Sequence, residues 1–320
     1  MKTSPGVGGG PAAAPFLPAA QWRQVAWITA GAIAIFIAFR FLPTGTNLSH
    51  MDFRAEAKNA IEFCDPANPQ FIPVVAVPSP VTMTVFHAGG ALAAGRPAQL
   101  RVTLATRSGK PIGPEDLAYT HTRRLHLLLV DASLQDYQHV HPEPGARPGE
   151  WAFAFTPQRG GDYRVFADFT PAATMRGLYA AADLPGAGAG VPATTEVQRR
   201  GSGPVERDGM RFELRPAKSP VRAREPADFQ FSVERNDGGP IALEPVMDAL
   251  AHLVAFDEAR SGFAHLHPAQ TDLDARTGAA RPVLNFKITI PRPGRYVIWA
   301  QVHPSGGGEK FVPFWFDVAP

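Results

Sequence analysis

His126-Leu-Leu-Leu-Val-Asp131, a short loop, then Tyr137-Gln-His139-Val-His141-Pro142 is a pattern that the chain writes twice. The second copy is His252-Leu-Val-Ala-Phe-Asp257, a loop, then Phe263-Ala-His265-Leu-His267-Pro268. All three histidines are offset by 126 residues, and over the 17 aligned positions six are identical: three His, one Leu, one Asp and the Pro. The loop between Asp and Tyr/Phe has diverged completely. Whatever drifted after duplication, the imidazoles did not.

The local geometry follows from periodicity. Leu127–Val130 is an apolar run of strand length, Tyr137–His141 alternates, and the short loop between them makes a β-hairpin. Successive strand side chains point to opposite faces, so His139 and His141 share one face. Pairing Asp131 with Asp136 puts His126 opposite His141 and diagonal to His139, within reach of both. Each hairpin thus gathers three imidazoles on one face. The other face carries Leu125, Leu127, Leu129 and Val140, which read as core.

The repeat extends outward from the hairpins. Arg96-Pro97-Ala98 matches Glu225-Pro226-Ala227 and Pro111-Ile112 matches Pro240-Ile241; Gly161-Asp-Tyr163 resembles Gly294-Arg-Tyr296. Strand-like runs in the first copy are Val81–Phe86, Ala98–Ala105, Leu125–Asp131, Tyr137–His141, Trp151–Phe155 and Tyr163–Phe169. Those in the second are Arg211–Leu214, Ala227–Val233, Ala251–Asp257, Phe263–His267, Val283–Ile290, Tyr296–Val302 and Phe311–Val318. Each copy is long enough to bury its own core, so this is a duplicated domain and not a solenoid. About seven short strands with turns between them suggest a sandwich, and the Tyr of Gly-x-Tyr suggests a tyrosine corner without its usual cysteine. The predicted class is all-β: two tandem immunoglobulin-like β-sandwiches preceded by one N-terminal transmembrane helix. The predicted division is a flexible tail over 1–22, an anchor over 23–42, a connector over 43–80, a first sandwich over 81–198, a linker over 199–209 and a second sandwich over 210–320.

Composition agrees with that class. Pro (33) and Gly (30) are abundant without loss of aromatic residues, as in a β protein rich in turns. A net charge of +2 leaves no nucleic-acid footprint. Val25 to Phe39 carries no charge, and with Phe41 and Leu42 and a snorkelling Arg40 it just reaches spanning length. A cleaved signal peptide is the competing reading, but no A-x-A-like site follows. An uncleaved anchor in the inner membrane, with the following 280 or so residues exported, is the expected arrangement. Cys64 is the single cysteine, so no intramolecular disulfide forms. Phe53–Phe63 has helical character, and the proline-rich stretch from Asn68 to Pro80 is extended.

Two readings of the histidines compete. In one, H-x-H-P is a strand end near solvent, with Pro142 and Pro268 stopping the ladder. In the other, His126, His139 and His141, and again His252, His265 and His267, hold a metal ion. His121, five residues before His126, is a candidate fourth donor; its counterpart at the local offset is Met247. That would give four His at one site and three His plus Met at the other. Imidazole suits copper and zinc, and thioether favours Cu(I), so copper is the expected metal and zinc the alternative. Asp131 and Asp257 read as loop openers that bond backbone amides. His303, His87 and His50 read as surface residues. No G-x-S-x-G, H-E-x-x-H, C-x-x-C-H or phosphate loop is present, so no enzymatic activity is expected.

At the L-H-L…D…H-x-H-P hairpin the chain resembles bacterial exported immunoglobulin-like or cupredoxin-like domains grouped as heavy-metal- or copper-associated periplasmic proteins. FixH-like and YtkA-like domains are similar in kind, with an N-terminal anchor before a small sandwich. The resemblance covers roughly residues 81–320. It implies an extracytoplasmic protein handling metal ions or assisting oxidase assembly, through the two histidine triads. The expectation is therefore a membrane-anchored copper-binding protein for sequestration, delivery or sensing. The alternative is a non-catalytic scaffold or assembly subunit of a membrane complex, with structural histidines and a partner protein in the membrane.

Overall fold

The computed structural model describes residues 18–40, 48–54, 69–188, 203–268 and 282–320. It separates into two compact units, Met1–Gly45 and Thr46–Pro320. The first contains α1 (Ala19–Arg40). Its stretch Ala20–Phe39 is 20 residues long with a mean hydropathy of 1.4, and none of it is buried. At ~1.5 Å per residue that is about the ~30 Å of a hydrocarbon core. The helix starts four residues before the predicted anchor, inside the stretch read as flexible tail. Pro18 opens it, its carbonyl accepting from the amides of Gln21 (2.8 Å) and Trp22 (3.1 Å), and Ala19 and Ala20 are strong helix formers. Phe41 and Leu42 lie outside the described residues, as do Cys64 and most of the predicted Phe53–Phe63 helix.

The second unit is built from strands. The first sandwich has β1 (Val81–His87), β2 (Ala98–Thr106), β3 (Leu117–Ala118), β4 (Leu125–Asp131), β5 (Tyr137–Val140), β6 (Glu143–Pro144), β7 (Glu150–Phe155), β8 (Tyr163–Pro171) and β9 (Leu178–Leu184). The second has β10 (Val205–Arg207), β11 (Met210–Pro216), β12 (Val221–Arg222), β13 (Pro226–Arg235), β14 (Leu243–Glu244), β15 (His252–Asp257), β16 (Phe263–Leu266), β17 (Val283–Thr289), β18 (Gly294–Pro304) and β19 (Lys310–Ala319). One sheet of the first runs β1-β2-β7-β6; the other is β3-β8-β4-β5, with β9 on β8. The second repeats the plan with β10-β11-β13-β17 against β12-β19-β18-β15-β16, and β14 on β18. Two features differ from the sequence reading. A further strand, β9, follows the Gly-x-Tyr strand of the first copy, as β19 over the expected Phe311–Val318 run does in the second, and the predicted linker already holds β10, paired with β11.

Period-two alternation builds each core. In β2, Leu100, Val102 and Leu104 are buried while Gln99, Arg101 and Thr103 face outward; in β13, Phe229, Phe231 and Val233 do the same. Burying each such side chain contributes roughly 1.5–3 kcal/mol. Tyr296 Oη donates to the Arg292 carbonyl at 3.0 Å and Tyr163 Oη reaches that of Arg159 at 3.2 Å, so both tyrosine corners form.

Strands β4 and β15 are buried on both faces, which is why they read as nearly continuous apolar runs. Leu125, Leu127 and Leu129 enter the first core, and Leu253 and Ala255 the second. The even-numbered residues Leu128, Val130, Val254 and Phe256 join a third core between the sandwiches, with Tyr137, Phe166, Phe263, Val297, Trp299 and Trp315. Phe166 lies 5.3 Å from Phe263 and Tyr137 lies 5.4 Å from Phe256, ring centre to ring centre. Such aromatic pairs add about 0.5–1.5 kcal/mol each beyond area burial. The connector reinforces this join. Ile72 exchanges backbone hydrogen bonds with Phe263 (2.8 and 3.1 Å), Phe71 donates to Thr289 (2.9 Å), and Ile72 and Val74 enter the third core. Gly262 permits the approach: a Cβ there would fall 1.8 Å from the Ile72 carbonyl oxygen.

Candidate metal centre

The hairpin register is the predicted one. Leu128 pairs with His139 and Leu127 with Val140, which sets His126 across from His141. Val254 pairs with His265 and Leu253 with Leu266, which sets His252 across from His267. Loop geometry fixes both hairpins. Asp131 Oδ1 accepts from the amides of Gln135 (2.8 Å) and Asp136 (2.9 Å), and Asp257 Oδ1 from that of Ser261 (2.7 Å). The aspartates therefore act as loop openers.

Because the histidines occupy the strand faces that meet between the sandwiches, the two triads do not sit apart. In each, one ligand nitrogen per residue lies within 4.8 Å of the others. The triads also touch: ring centres are 5.3 Å apart for His139 and His265 and 5.7 Å for His126 and His265. His126, His139 and His252 are 1%, 7% and 0% exposed while His141, His265 and His267 are half-buried, so the cluster runs inward from the strand ends instead of lying at a solvent edge.

The outer ring nitrogens determine where the protons are. His126 Nε2 lies 2.9 Å from the Thr120 carbonyl and His252 Nε2 lies 2.8 Å from that of Val246. A carbonyl only accepts, so Nε2 carries the proton and each Nδ1 keeps a lone pair. Gln301 Nε2 donates to Glu309 Oε2 at 3.0 Å, which turns Gln301 Oε1 toward His139 Nδ1 at 2.9 Å. His265 Nδ1 faces Asp168 Oδ2 at 3.0 Å. These nitrogens are therefore the protonated ones, and Nε2 of His139 and of His265 keeps a lone pair. The consequence is that lone pair faces lone pair: His126 Nδ1 and His139 Nε2 at 3.0 Å, His252 Nδ1 and His265 Nε2 at 3.2 Å. The third member of each triad agrees. Among the described residues, Nε2 of His141 and of His267 is buried without a hydrogen-bond partner.

Burial keeps these rings neutral. It pushes His139 and His265 well below the usual histidine range, with neighbouring imidazoles adding to the effect. The same cause lowers His141 to about 3 and His252 to about 4. His126, His121 and His267 are lowered too, again mainly by burial. Burial raises the Asp168 carboxyl, against the pull of His126 and His121.

His121 and Met247 occupy matching turns. Thr120 and Arg123 exchange backbone hydrogen bonds around His121-Thr122, as Val246 and Ala249 do around Met247-Asp248. Both central residues have positive φ in each turn, at 49° and 66° in the first and 49° and 63° in the second, the signature of a type I′ turn. The 126-residue alignment of His121 with Met247 therefore holds. His121, however, crosses over. Its ring stacks on His267 of the second sandwich with centres 3.7 Å apart, while His126 of its own hairpin is 6.4 Å away. The first triad is thus not the one that His121 joins. Met247 is half-buried in its turn.

Two side chains escaped the sequence reading: Asp168 and Gln301. They pair with His126 and His252 in the neighbouring strands and are equivalent by position, yet each orients a histidine of the opposite sandwich. The available signal was a polar residue inside an otherwise apolar run, as in Phe166-Ala-Asp168-Phe.

No curated protein sequence matches the chain. Among solved structures it is similar to the Escherichia coli adhesin FdeC, with 15% identity over 74% of this chain and 64% of that one and a TM-score of 0.23. It is similar to Salmonella alpha-2-macroglobulin, with 12% identity over 76% of this chain and 17% of that one and a TM-score of 0.25. The fibronectin(III)-like modules of Clostridium thermocellum CbhA give 8% identity over 74% of this chain and 94% of theirs, with a TM-score of 0.19. The chain thus spans less than two thirds of the adhesin and of the macroglobulin. A protein family matches the duplicated region itself, over residues 80–183 and 205–320, and the chain belongs to that family, described as a domain of unknown function (DUF8832).

Proposed function

We propose that this is a membrane-anchored, extracytoplasmic protein that binds a transition metal, copper foremost and zinc as the alternative, for sequestration, delivery or sensing. One observation carries the reading: in each triad the outer nitrogens of two histidines, His126 and His139 or His252 and His265, are committed to fixed acceptors and their inner lone pairs face one another. Two neutral rings so placed repel, whereas a cation between them satisfies both. Two imidazole nitrogens on a tetrahedral ion with bonds of ~2.0–2.1 Å stand roughly 3.3 Å apart, close to the 3.0 and 3.2 Å found here. Hydrogen-bonded outer nitrogens are what metal-ligating histidines commonly show. Neutral rings need not lose a proton before binding. His126, His139 and His141 would hold one ion, and His252, His265 and His267, with His121 alongside, a second.

Binding rather than catalysis suits the burial of the cluster and the commitment of Asp168 to His265. Export rests on α1, whose length and apolarity suit a single-pass anchor in an inner membrane, and on the resemblance to FixH-like and YtkA-like domains. Titration calorimetry of the whole chain in detergent with Cu(II) and Zn(II) tests the reading. We expect dissociation constants far below millimolar, lost when the six hairpin histidines become alanine. Binding no tighter than millimolar, or unaffected by those substitutions, contradicts it. The scaffold alternative draws on the bonds of His126 and His252 to main-chain carbonyls. It requires a membrane partner that co-purifies with the anchored chain whether or not a chelator is present.

A further inference from the structure

We propose that the two triads are unequal, that the one on the second sandwich fills first, and that Asp168 sets the order. The inference rests on the metal-binding reading above. It starts from positions that duplication should have kept alike. Asp168 and Gln301 are equivalent in strand register, and each bonds the middle histidine of the opposite hairpin. One is a carboxylate and the other a carboxamide. His265 therefore has an anionic acceptor behind it and His139 a neutral one. A carboxylate on the far nitrogen makes an imidazole a stronger donor and stabilises the charge of a bound cation. Losing such a partner typically costs ten- to a hundred-fold in affinity.

Two further differences act in the same direction. His121 stacks at 3.7 Å on His267, so the second triad has a fourth imidazole at hand from the first sandwich. Arg123 acts electrostatically on His126 and His141, and its counterpart at the 126-residue offset is Ala249, so that position supplies no cation to the second triad. Opposing them is Glu309, but it reaches the first triad only through Gln301. The direct contact of Asp168 outweighs a carboxylate one side chain further out, because charge interactions weaken with distance and intervening matter.

Competition titration with Zn(II) against a chromophoric chelator, on the whole chain in detergent, tests the order. The wild type should bind two ions in steps separated by at least ten-fold. His267→Ala should abolish the tighter step, and His141→Ala the weaker one alone. Asp168→Asn should weaken the tighter step by about ten- to a hundred-fold while leaving cooperative thermal unfolding intact. Should that variant fail to fold, Gln301→Glu decides, since it should strengthen the weaker step. Two equal steps in the wild type, loss of the tighter step in His141→Ala, or a tighter constant unmoved by Asp168→Asn each overturn the proposal. So does a weaker constant unmoved by Gln301→Glu. No zinc or copper bound at all would instead remove the metal-binding reading beneath it.

Discussion

Asp168 of the first sandwich accepts a hydrogen bond from His265 of the second across 3.0 Å, and its positional twin Gln301 returns the arrangement to His139 at 2.9 Å. Each hairpin thus has its middle histidine oriented by the other sandwich. The centre is a property of the pair: neither repeat contains all the groups that fix its own tautomers.

The apolar join that holds the pair should be as sensitive as a domain core. Phe256 is fully buried between Tyr137 and Phe166. Phe256→Ala removes a large side chain where the surroundings relax only partly, so a loss of about 3–5 kcal/mol is expected. Urea unfolding followed by tryptophan fluorescence measures it. A change below about 1 kcal/mol would mean that the sandwiches are not packed through this face.

Acid should destabilise the metal-free protein well before its carboxylates titrate. His252 is held down to about 4 and His141 to about 3, so from near pH 6.5 downward the unfolded chain takes up protons that the folded chain refuses. Stability therefore falls as pH drops through that window, by up to about 1.4 kcal/mol per pH unit for each such histidine. Urea midpoints in chelator at pH 7.5 and pH 5 should show the decline, and it should shrink in His141→Asn. Equal midpoints at the two pH values would contradict the neutral, water-poor cluster.

The tyrosine corners offer a graded comparison. Tyr296 Oη bonds only the Arg292 carbonyl among the described residues, whereas Tyr163 Oη also donates to Asp136 at 2.5 Å, a buried carboxylate. Tyr296→Phe should cost about 1 kcal/mol, and Tyr163→Phe about 2–3 kcal/mol because the bond it removes is to a charged group. Equal losses in chemical denaturation would show that Asp136 finds another partner.

Close approach at Gly262 makes a third structural test. Gly262→Ala should push residues 72–75 off the second hairpin, because the new Cβ would strike the Ile72 carbonyl. Hydrogen exchange at the amides of Ile72 and Val75 should accelerate while the amides of β2 stay protected. Unchanged exchange at Ile72 would contradict the contact.

Much of this was legible in the sequence. Period-two alternation and the loop aspartates gave the register, and so the convergence of His126, His139 and His141, because these are local, steric consequences of one hairpin. Most strands followed from the same alternation. The meeting of the two hairpins did not. Alternation marks Leu127 and Leu129 as core, but Leu128 and Val130 are equally apolar, and a strand apolar on both faces must be covered on both. That was the sign of a second packing face, and it would have brought the triads together. Asp168 and Gln301 stayed hidden because the repeat does not keep their identity; only strand register shows them to be equivalent. Proximity in sequence places His121 with its own hairpin, but sequence distance says nothing about a ring that crosses an interface.

X-ray absorption on the whole chain loaded with Cu or Zn addresses metal ligation by the six hairpin histidines most directly. A first shell of nitrogen donors at roughly 2.0–2.1 Å, with the outer-shell scattering of three or more imidazoles per ion, is the expected result. That signal should vanish when His126, His139 and His141 and their counterparts His252, His265 and His267 become alanine. A shell of water oxygens, or an imidazole signal that survives those substitutions, would contradict it.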